Sequence, residues 1–404
     1  MQILSLTTIF PNEQSDAEGR SVMFLDQALA KMGVGGTTLV LKPWVPHFLA
    51  KRVDQWKHLA VRRRIEERDG TRVIFSHYMH ISVRYRLDLC VYSMAHQAIQ
   101  LIKRNGWTFD VVHGESIYPA ALASRLVAQH FKVPFIITLR DDLSHLSSLY
   151  EGRKAKKLFE PMFASVSAIF AIGPKLMKDI PKFLPSSARP LMILAPNGID
   201  VDRIDTVLNT LQHQTEHPWG HIVSVGNLYR FKGIHENLHA LKLLHDRGMK
   251  DWRYTAVGEG PYRRELESLA KESGFGDRVV FTGRLPHREA IRMIHESDLF
   301  CLPSWAEPFG NVFAETAVCG RPAIGCRGFG AELTIRDGET GLLVPPRDVD
   351  ALAEALAYLL THPEHARDMG QKARDHIRQF TWKNTAELYK QAMTQILKPT
   401  PIQR

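Results

Sequence analysis

The residues best placed to do chemistry in this 404-residue chain lie in one run, Leu299-Phe300-Cys301-Leu302-Pro303-Ser304-Trp305-Ala306-Glu307-Pro308-Phe309-Gly310-Asn311-Val312-Phe313-Ala314-Glu315. An apolar strand ends at Pro303, a loop carries Glu307, and Gly310 permits close backbone approach. A helix then starts near Asn311 and is ended by Gly320, with Pro322 behind it. Glu307 in the loop and Glu315 about one turn into the helix set two carboxylates toward one ligand, with free backbone amides between them. A carboxylate accepts two hydroxyls at once, which is what a ribose diol or a hexose offers. The plain alternative, two solvated glutamates, fits poorly with Phe309, Val312 and Phe313, which should bury the segment. A second run, Val225-Gly226-Asn227-Leu228-Tyr229-Arg230-Phe231-Lys232-Gly233, ends a strand, presents Arg230 and Lys232 in a loop and starts a helix at Gly233. Helix N-terminal amides beside a flexible ammonium suit a diphosphate. A solvated basic loop is the alternative there.

Other signals are weaker. Val257-Gly258-Glu259-Gly260-Pro261 follows a strand at Tyr254–Val257 but lacks the third glycine of a dinucleotide fingerprint. It suits a tight turn that brings backbone near a ligand, with Pro261 as the first residue of the next helix. The Asp-x-Asp triplets at Asp200–Asp202 and Asp348–Asp350 lie apart from the glutamate pair, and Asp348 or Asp350 suits a helix N-cap, so no metal is expected. Cys90, Cys301, Cys319 and Cys326 form no CxxC pair and read as buried free thiols of a reducing, cytoplasmic compartment. Met1–Leu6 carries no basic leader and reads as a first strand rather than a signal peptide.

The elements that must position these residues alternate strand and helix throughout. β-rich runs at Ile3–Leu6, Thr37–Leu41, Val73–Phe75, Val111–His113, Phe135–Leu139 and Ile169–Ile172 are separated by helical stretches, one at about Val22–Met32 with Gly33 as its stop. A further strand at Leu191–Leu194 precedes the turn Asn197-Gly198-Ile199-Asp200, and a second series opens at Ile222. The pattern predicts an α/β chain of two doubly wound, Rossmann-like domains with parallel sheets, divided near residue 200. Ligands are then expected beyond the carboxyl ends of the strands, in the cleft two such domains leave.

The net charge of +9 is uneven. Residues 1–190 hold 26 Lys+Arg against 16 Asp+Glu, whereas residues 191–404 hold 26 against 27. The first half is therefore expected to meet something anionic. Its cations gather in Lys51…Arg72, interleaved with Trp56, Leu59 and Val61, and in Arg153–Lys157 beside Leu158 and Phe159. Both stretches read as helices that lay apolar residues into an anionic membrane surface. No nucleic-acid motif accompanies the charge.

Taken together, the motifs of residues 191–390 resemble the donor-binding half of retaining GT-B glycosyltransferases of glycosyltransferase family 4. The likeness rests on the loop 226–233, Val257–Pro261, Phe281-Thr282-Gly283, Leu302-Pro303-Ser304, Glu307 and Glu315 with seven residues between, and Gly338-x-x-Gly341-Leu342-Leu343-Val344. It closes with Phe380-Thr381-Trp382, similar to the start of the family's final helix, which crosses back onto the first domain. The resemblance implies domains at 1–200 (acceptor) and 201–379 (donor), with 380–404 as the returning helix. It implies retaining, metal-independent transfer from a UDP- or GDP-linked sugar to a glycan or lipid-linked acceptor of bacterial cell-surface polysaccharide. The donor is the substrate, and no cofactor is implied. By the same likeness Lys232 holds the diphosphate and Glu315 the ribose, while Glu307 contacts the transferred sugar. Gly226, Asn227, Gly258, Gly260, Arg284, Leu285, Gly310, Asn311 and Val312 join the donor site. Many members have arginine at the position of Asn227, and Arg230 is the candidate to supply that charge. In the first half, Asp110–Glu115 and Thr138-Leu139-Arg140-Asp141 stand where the family often shows His-x-His and Thr-x-His-Gly. Arg140 is a candidate for phosphate stabilisation there. His113 is either an acid/base or a strand-end residue that positions its neighbours. The rivals are a GT-B nucleotide-sugar epimerase and a catalytically silent nucleotide-sugar-binding subunit.

Overall fold

The computed structural model describes residues 1–11, 19–45, 63–79, 87–140, 143, 153–211 and 218–398. They form two compact units, one of Met1–Ile172, Leu176–Gly198 and the segment from Trp382, the other of Gly173–Lys175 and Ile199–Thr381.

The first unit is built on an eight-stranded sheet ordered β3-β4-β2-β1-β5-β6-β7-β8. Its strands are β1 (Gln2–Thr7), β2 (Gly35–Pro43), β3 (Arg64–Arg68), β4 (Thr71–Tyr78), β5 (Val111–Glu115), β6 (Phe135–Leu139), β7 (Ala168–Ala171) and β8 (Leu191–Leu194). All neighbours pair in parallel except β3 with β4. The helices α1 (Arg20–Lys31), α2 (Leu87–Asn105), α3 (Leu122–Phe131) and α4 (Arg153–Ser165) make the crossovers. The central strands β5, β6 and β7 are buried at every residue, as strands covered on both faces must be. The order reverses between β1 and β5, whose carboxyl ends are Thr7 and Glu115.

The hairpin β3–β4 corrects one expectation. Lys51…Arg72 read as one basic helix; residues 51–62 lie outside the described part, and Arg64–Arg68 is an antiparallel edge strand. Asp69 (φ 48°) and Gly70 (φ 83°) are a two-residue Asp-Gly turn between Arg68 and Thr71, a strong local hairpin signal. Its cations are partly neutralised within the hairpin: Arg64 and Arg68 pair with Glu66, and Arg72 with Glu67.

The second unit has a six-stranded parallel sheet, β11-β10-β9-β12-β13-β14. In chain order it runs α5 (Val201–Asn209), β9 (His221–Val225), α6 (Ile234–Asp246), β10 (Arg253–Val257), α7 (Arg263–Glu272), β11 (Val279–Gly283) and α8 (His287–His295). Then follow β12 (Leu299–Cys301), α9 (Asn311–Val318), β13 (Ala323–Cys326), β14 (Gly341–Val344), α10 (Val349–Thr361) and α11 (Pro363–Ile377). Here the order reverses between β9 and β12, so the loops after these two strands meet at the switch point. Pro261 is not the first residue of α7. The Gly260–Pro261 turn delays the helix to Arg263, with Tyr262 as its cap.

A last helix, α12 (Trp382–Leu397), belongs to the first unit. Tyr389 stacks on Phe170 at 3.7 Å between centroids, Thr385 donates to the Pro196 carbonyl at 2.7 Å, and Lys390 donates to that of Met32 at 2.9 Å. The core cluster it completes joins Ile3, Leu29, Val111 and Ile136 to Ala386 and Met393.

Candidate active site

The loop after β9 and the loop after β12 bring two of the expected residues into contact. The Lys232 ammonium donates to the Glu307 carboxylate in an ion pair whose side chains are 16% and 15% exposed. Local chain chemistry sets both ends. Arg230–Lys232 is one 3-10 turn, and Gly233 at φ 77° caps α6 so closely against Pro303 that a Cβ there would lie 2.5 Å from its carbonyl oxygen. Ile234, Leu238, Leu241 and Leu244 bury the inner face of α6. Gly310 at φ 81° starts α9, where a Cβ would stand 2.6 Å from Phe313. Phe309 and Phe313 are buried, and the Gly330 N–H donates to the Glu307 carbonyl at 2.7 Å. Glu307 is thus a charged side chain on a pinned loop, and α9 directs its N-terminal amides to the same end of the sheet.

Glu315, in the second turn of α9, lies 2.8 Å from His287 Nε2 at the start of α8. Asn311 is exposed and Val312 half-buried. Beside Gly226 the nearest atom to an added Cβ is Lys232 Cδ at 4.0 Å, so this glycine keeps open the space next to the ammonium. Gly258 and Gly260 do something else: a Cβ would come within 1.9 Å of the Gly226 carbonyl oxygen and 2.4 Å of that of Leu228. What these two admit at close range is protein backbone, and they press the 257–260 loop onto 226–228. Asn227, Arg230 and Arg284 are exposed and Leu285 half-buried on the same unit. The Asp-x-Asp triplets are helix caps. Asp200 accepts from the Arg203 N–H at 3.1 Å and Asp348 from that of Ala351 at 2.9 Å. All four cysteines are buried and none is in a disulfide; burial pushes the Cys319 thiol up to about 12.

His113 and Arg140 stand in the other unit, in a buried polar network at the carboxyl ends of β5 and β6. Arg140 donates to both oxygens of Glu115, at 2.6 and 3.0 Å, and to Asn197 Oδ1 at 3.0 Å. Burial favours the neutral Glu115 carboxyl, but the charge and hydrogen bonds of Arg140 together with the neighbouring His113 outweigh it and hold the group below its usual range. The His113 ring is 0% exposed. Its Nε2 is 2.7 Å from Thr138 Oγ1, which is 2.7 Å from the Tyr389 hydroxyl, and its Nδ1 is 3.4 Å from Ser5 Oγ. Burial lowers its pKa, so the ring is neutral. A ring with no surface and both nitrogens engaged positions its neighbours; the acid/base alternative does not fit. Arg140 is likewise committed to Glu115.

The structure also shows partners that sequence reasoning missed. His287 carried only a helix-start position as a signal. Asp26 on α1 is buried, accepts from Thr38 Oγ1 at 2.7 Å, and is pushed by burial up to about 7. Nothing in its sequence context marked it.

The family described as "Glycosyl transferases group 1" matches residues 213–376. The chain is 25% identical to TuaC of Bacillus subtilis (strain 168), which is named for glycosyl transfer in teichuronic acid biosynthesis, over 88% of each chain. It is 26% identical to glycogen synthase of Mycobacterium tuberculosis, over 99% of this chain and 97% of that protein. Among solved structures, sucrose-phosphate synthase from Thermosynechococcus elongatus superposes with a TM-score of 0.71 at 21% identity, covering 98% of both chains. Anabaena Alr3699/HepE in complex with UDP-glucose gives 0.68 at 17% identity, covering 98% of this chain and all of that one.

Proposed function

We propose that this chain, a glycosyltransferase with the GT-B fold, transfers a sugar with retention, without a metal, from a nucleoside-diphosphate donor. The observation that carries this reading is the Lys232–Glu307 ion pair at the switch point of the second sheet, with the N-terminus of α9 and Glu315 behind it. A diphosphate exchanges for the Glu307 carboxylate at Lys232. The ammonium and the helix amides then take up the charge that develops on the leaving group, the task a metal performs elsewhere. Glu307, once released, faces the sugar hydroxyls, and Glu315 accepts the ribose diol. The solved relative that holds UDP-glucose supports a UDP-linked hexose as donor. The name of TuaC supports a bacterial cell-surface polysaccharide as destination, with a glycan or lipid-linked acceptor. These features agree with membership of the retaining family 4.

An anionic membrane surface on the cytoplasmic side is proposed as a partner on charge alone. Phe159 is 0% exposed and packs inward, so α4 does not offer it to a bilayer as its sequence suggested; Lys156 and Lys157 are exposed. Among the described residues no helix is long and apolar enough to cross a membrane.

The test is a screen of UDP-, GDP- and ADP-sugars by thermal shift and nucleotide release in excess EDTA. A stabilising donor, turned over at full rate in EDTA, is expected. Activity lost in EDTA and restored by magnesium or manganese would overturn the metal-free mechanism.

A further inference from the structure

Three loops of the second unit converge on one side chain outside the residues assigned above. Trp305 lies two residues before Glu307. Its backbone N–H donates to the carbonyl of Phe231, the residue before Lys232, at 3.0 Å. The two rings meet edge to face at 6.4 Å, and Phe231 in turn stacks on Tyr229 at 5.5 Å. The indole Nε1–H donates to Glu236 Oε1 at 3.3 Å. That carboxylate is buried in the first turn of α6, with its other oxygen 3.0 Å from His235 Nδ1. The third loop follows β14: the guanidinium of Arg347 sits 4.0 Å over the Trp305 ring. Arg347 holds φ at 62°, a region L side chains rarely adopt, immediately before Asp348 caps α10. Such a conformation persists where its surroundings over-determine it, and it clusters at functional sites.

We propose that Trp305 is a positioning residue that keeps the Lys232 loop and the Glu307 loop in one register, with Glu236 and Arg347 fixing its ring. This deepens the donor-binding reading above and rests on it. The reason it is needed is chemical. The Lys232–Glu307 ion pair links the two loops only until a diphosphate takes the ammonium. The contacts of Trp305 involve neither charge, so they persist when the ion pair opens and hold both groups at the spacing the transfer step requires. Small displacements of reacting groups are costly in rate even when binding survives.

The experiment has two arms on the full chain. In the first, amide hydrogen exchange is compared in wild type, Trp305→Ala and Arg347→Ala. Faster exchange confined to 226–233 and 304–310 is expected, and an unchanged 226–233 loop overturns the proposal whether or not the protein transfers sugar. In the second, with the donor found in the screen, Trp305→Ala should slow turnover about 10- to 100-fold while affinity for the nucleoside diphosphate alone changes less than about threefold. Trp305→Phe, which keeps the face for Arg347 and loses the indole donor, should recover part of the rate. The losses from Trp305→Ala and Glu307→Gln should be less than additive, because both act through the same group. Wild-type turnover in Trp305→Ala, or full additivity, overturns the positioning role. If exchange couples the loops but no nucleotide sugar is bound or turned over by wild type, the functional reading fails and the coupling stands.

Discussion

Lys232 and Glu307 neutralise one another, and in the proposed mechanism their exchange of partners is the event on which binding turns. Lys232→Ala removes the cation from both the bound and the leaving diphosphate, so donor affinity and rate should fall together. Arg230→Ala tests whether the exposed arginine stands in for the charge that Asn227 lacks; kinetics unchanged from wild type would end that idea. Glu315→Ala should weaken donor binding by about 2–4 kcal/mol, whereas Glu307→Gln should lower turnover more than affinity. Steady-state kinetics separate the two effects, and equal, small changes in both mutants would remove these residues from the site. The places of Lys232, Glu307 and Glu315 on loop and helix were legible in the sequence because each lies in a strand–loop–helix segment that folds locally. His287 and the Trp305–Glu236–Arg347 contacts were not, since they join residues far apart in the chain, 69 positions for Trp305 and Glu236. For His113 the sequence offered both a positioning role and an acid/base role. Its motif drew attention, but only burial distinguishes a positioning ring from an acid or base.

At the level of elements, the central strands of both sheets were readable because they are continuous apolar runs. Strand β3, and with it the hairpin it makes with β4, was not, since Arg64-Ile65-Glu66-Glu67-Arg68 alternates weakly and its charge resembles a solvated helix. The Asp69–Gly70 turn signal was present in the sequence but was not read. In the first unit α1 carries a buried ionisable group whose behaviour is testable. Asp26 titrates at about 7 folded and near 3.8 unfolded, so between these values the folded chain holds a proton the unfolded chain has lost. Its contribution is whole below about pH 3.8 and lost as the pH rises through about 7. Asp26→Asn keeps an acceptor for Thr38 and removes this dependence. It should leave stability at pH 4 nearly unchanged and raise it at pH 8 by as much as about 4 kcal/mol. Denaturant melts at the two pH values check this, and equal shifts at both would contradict it. Arg140→Ala should instead destabilise by about 3–5 kcal/mol, because it strands the buried Glu115 carboxylate.

For the whole molecule, the uneven charge predicts where the protein works. It should co-sediment with anionic liposomes at low salt and release as ionic strength rises. Lys156→Glu with Lys157→Glu should weaken this and leave donor binding intact. Equal partitioning onto neutral and anionic vesicles would favour a soluble acceptor. The central claim, a donor held by the ion-paired loop and α9 without a metal, is tested most directly by calorimetric titration of UDP and GDP in EDTA into wild type, Lys232→Ala and Glu315→Ala. The account predicts that one of the two nucleotides binds wild type and that each substitution weakens it at least about tenfold. Binding of neither nucleotide to wild type, or equal affinity in all three proteins, would contradict it.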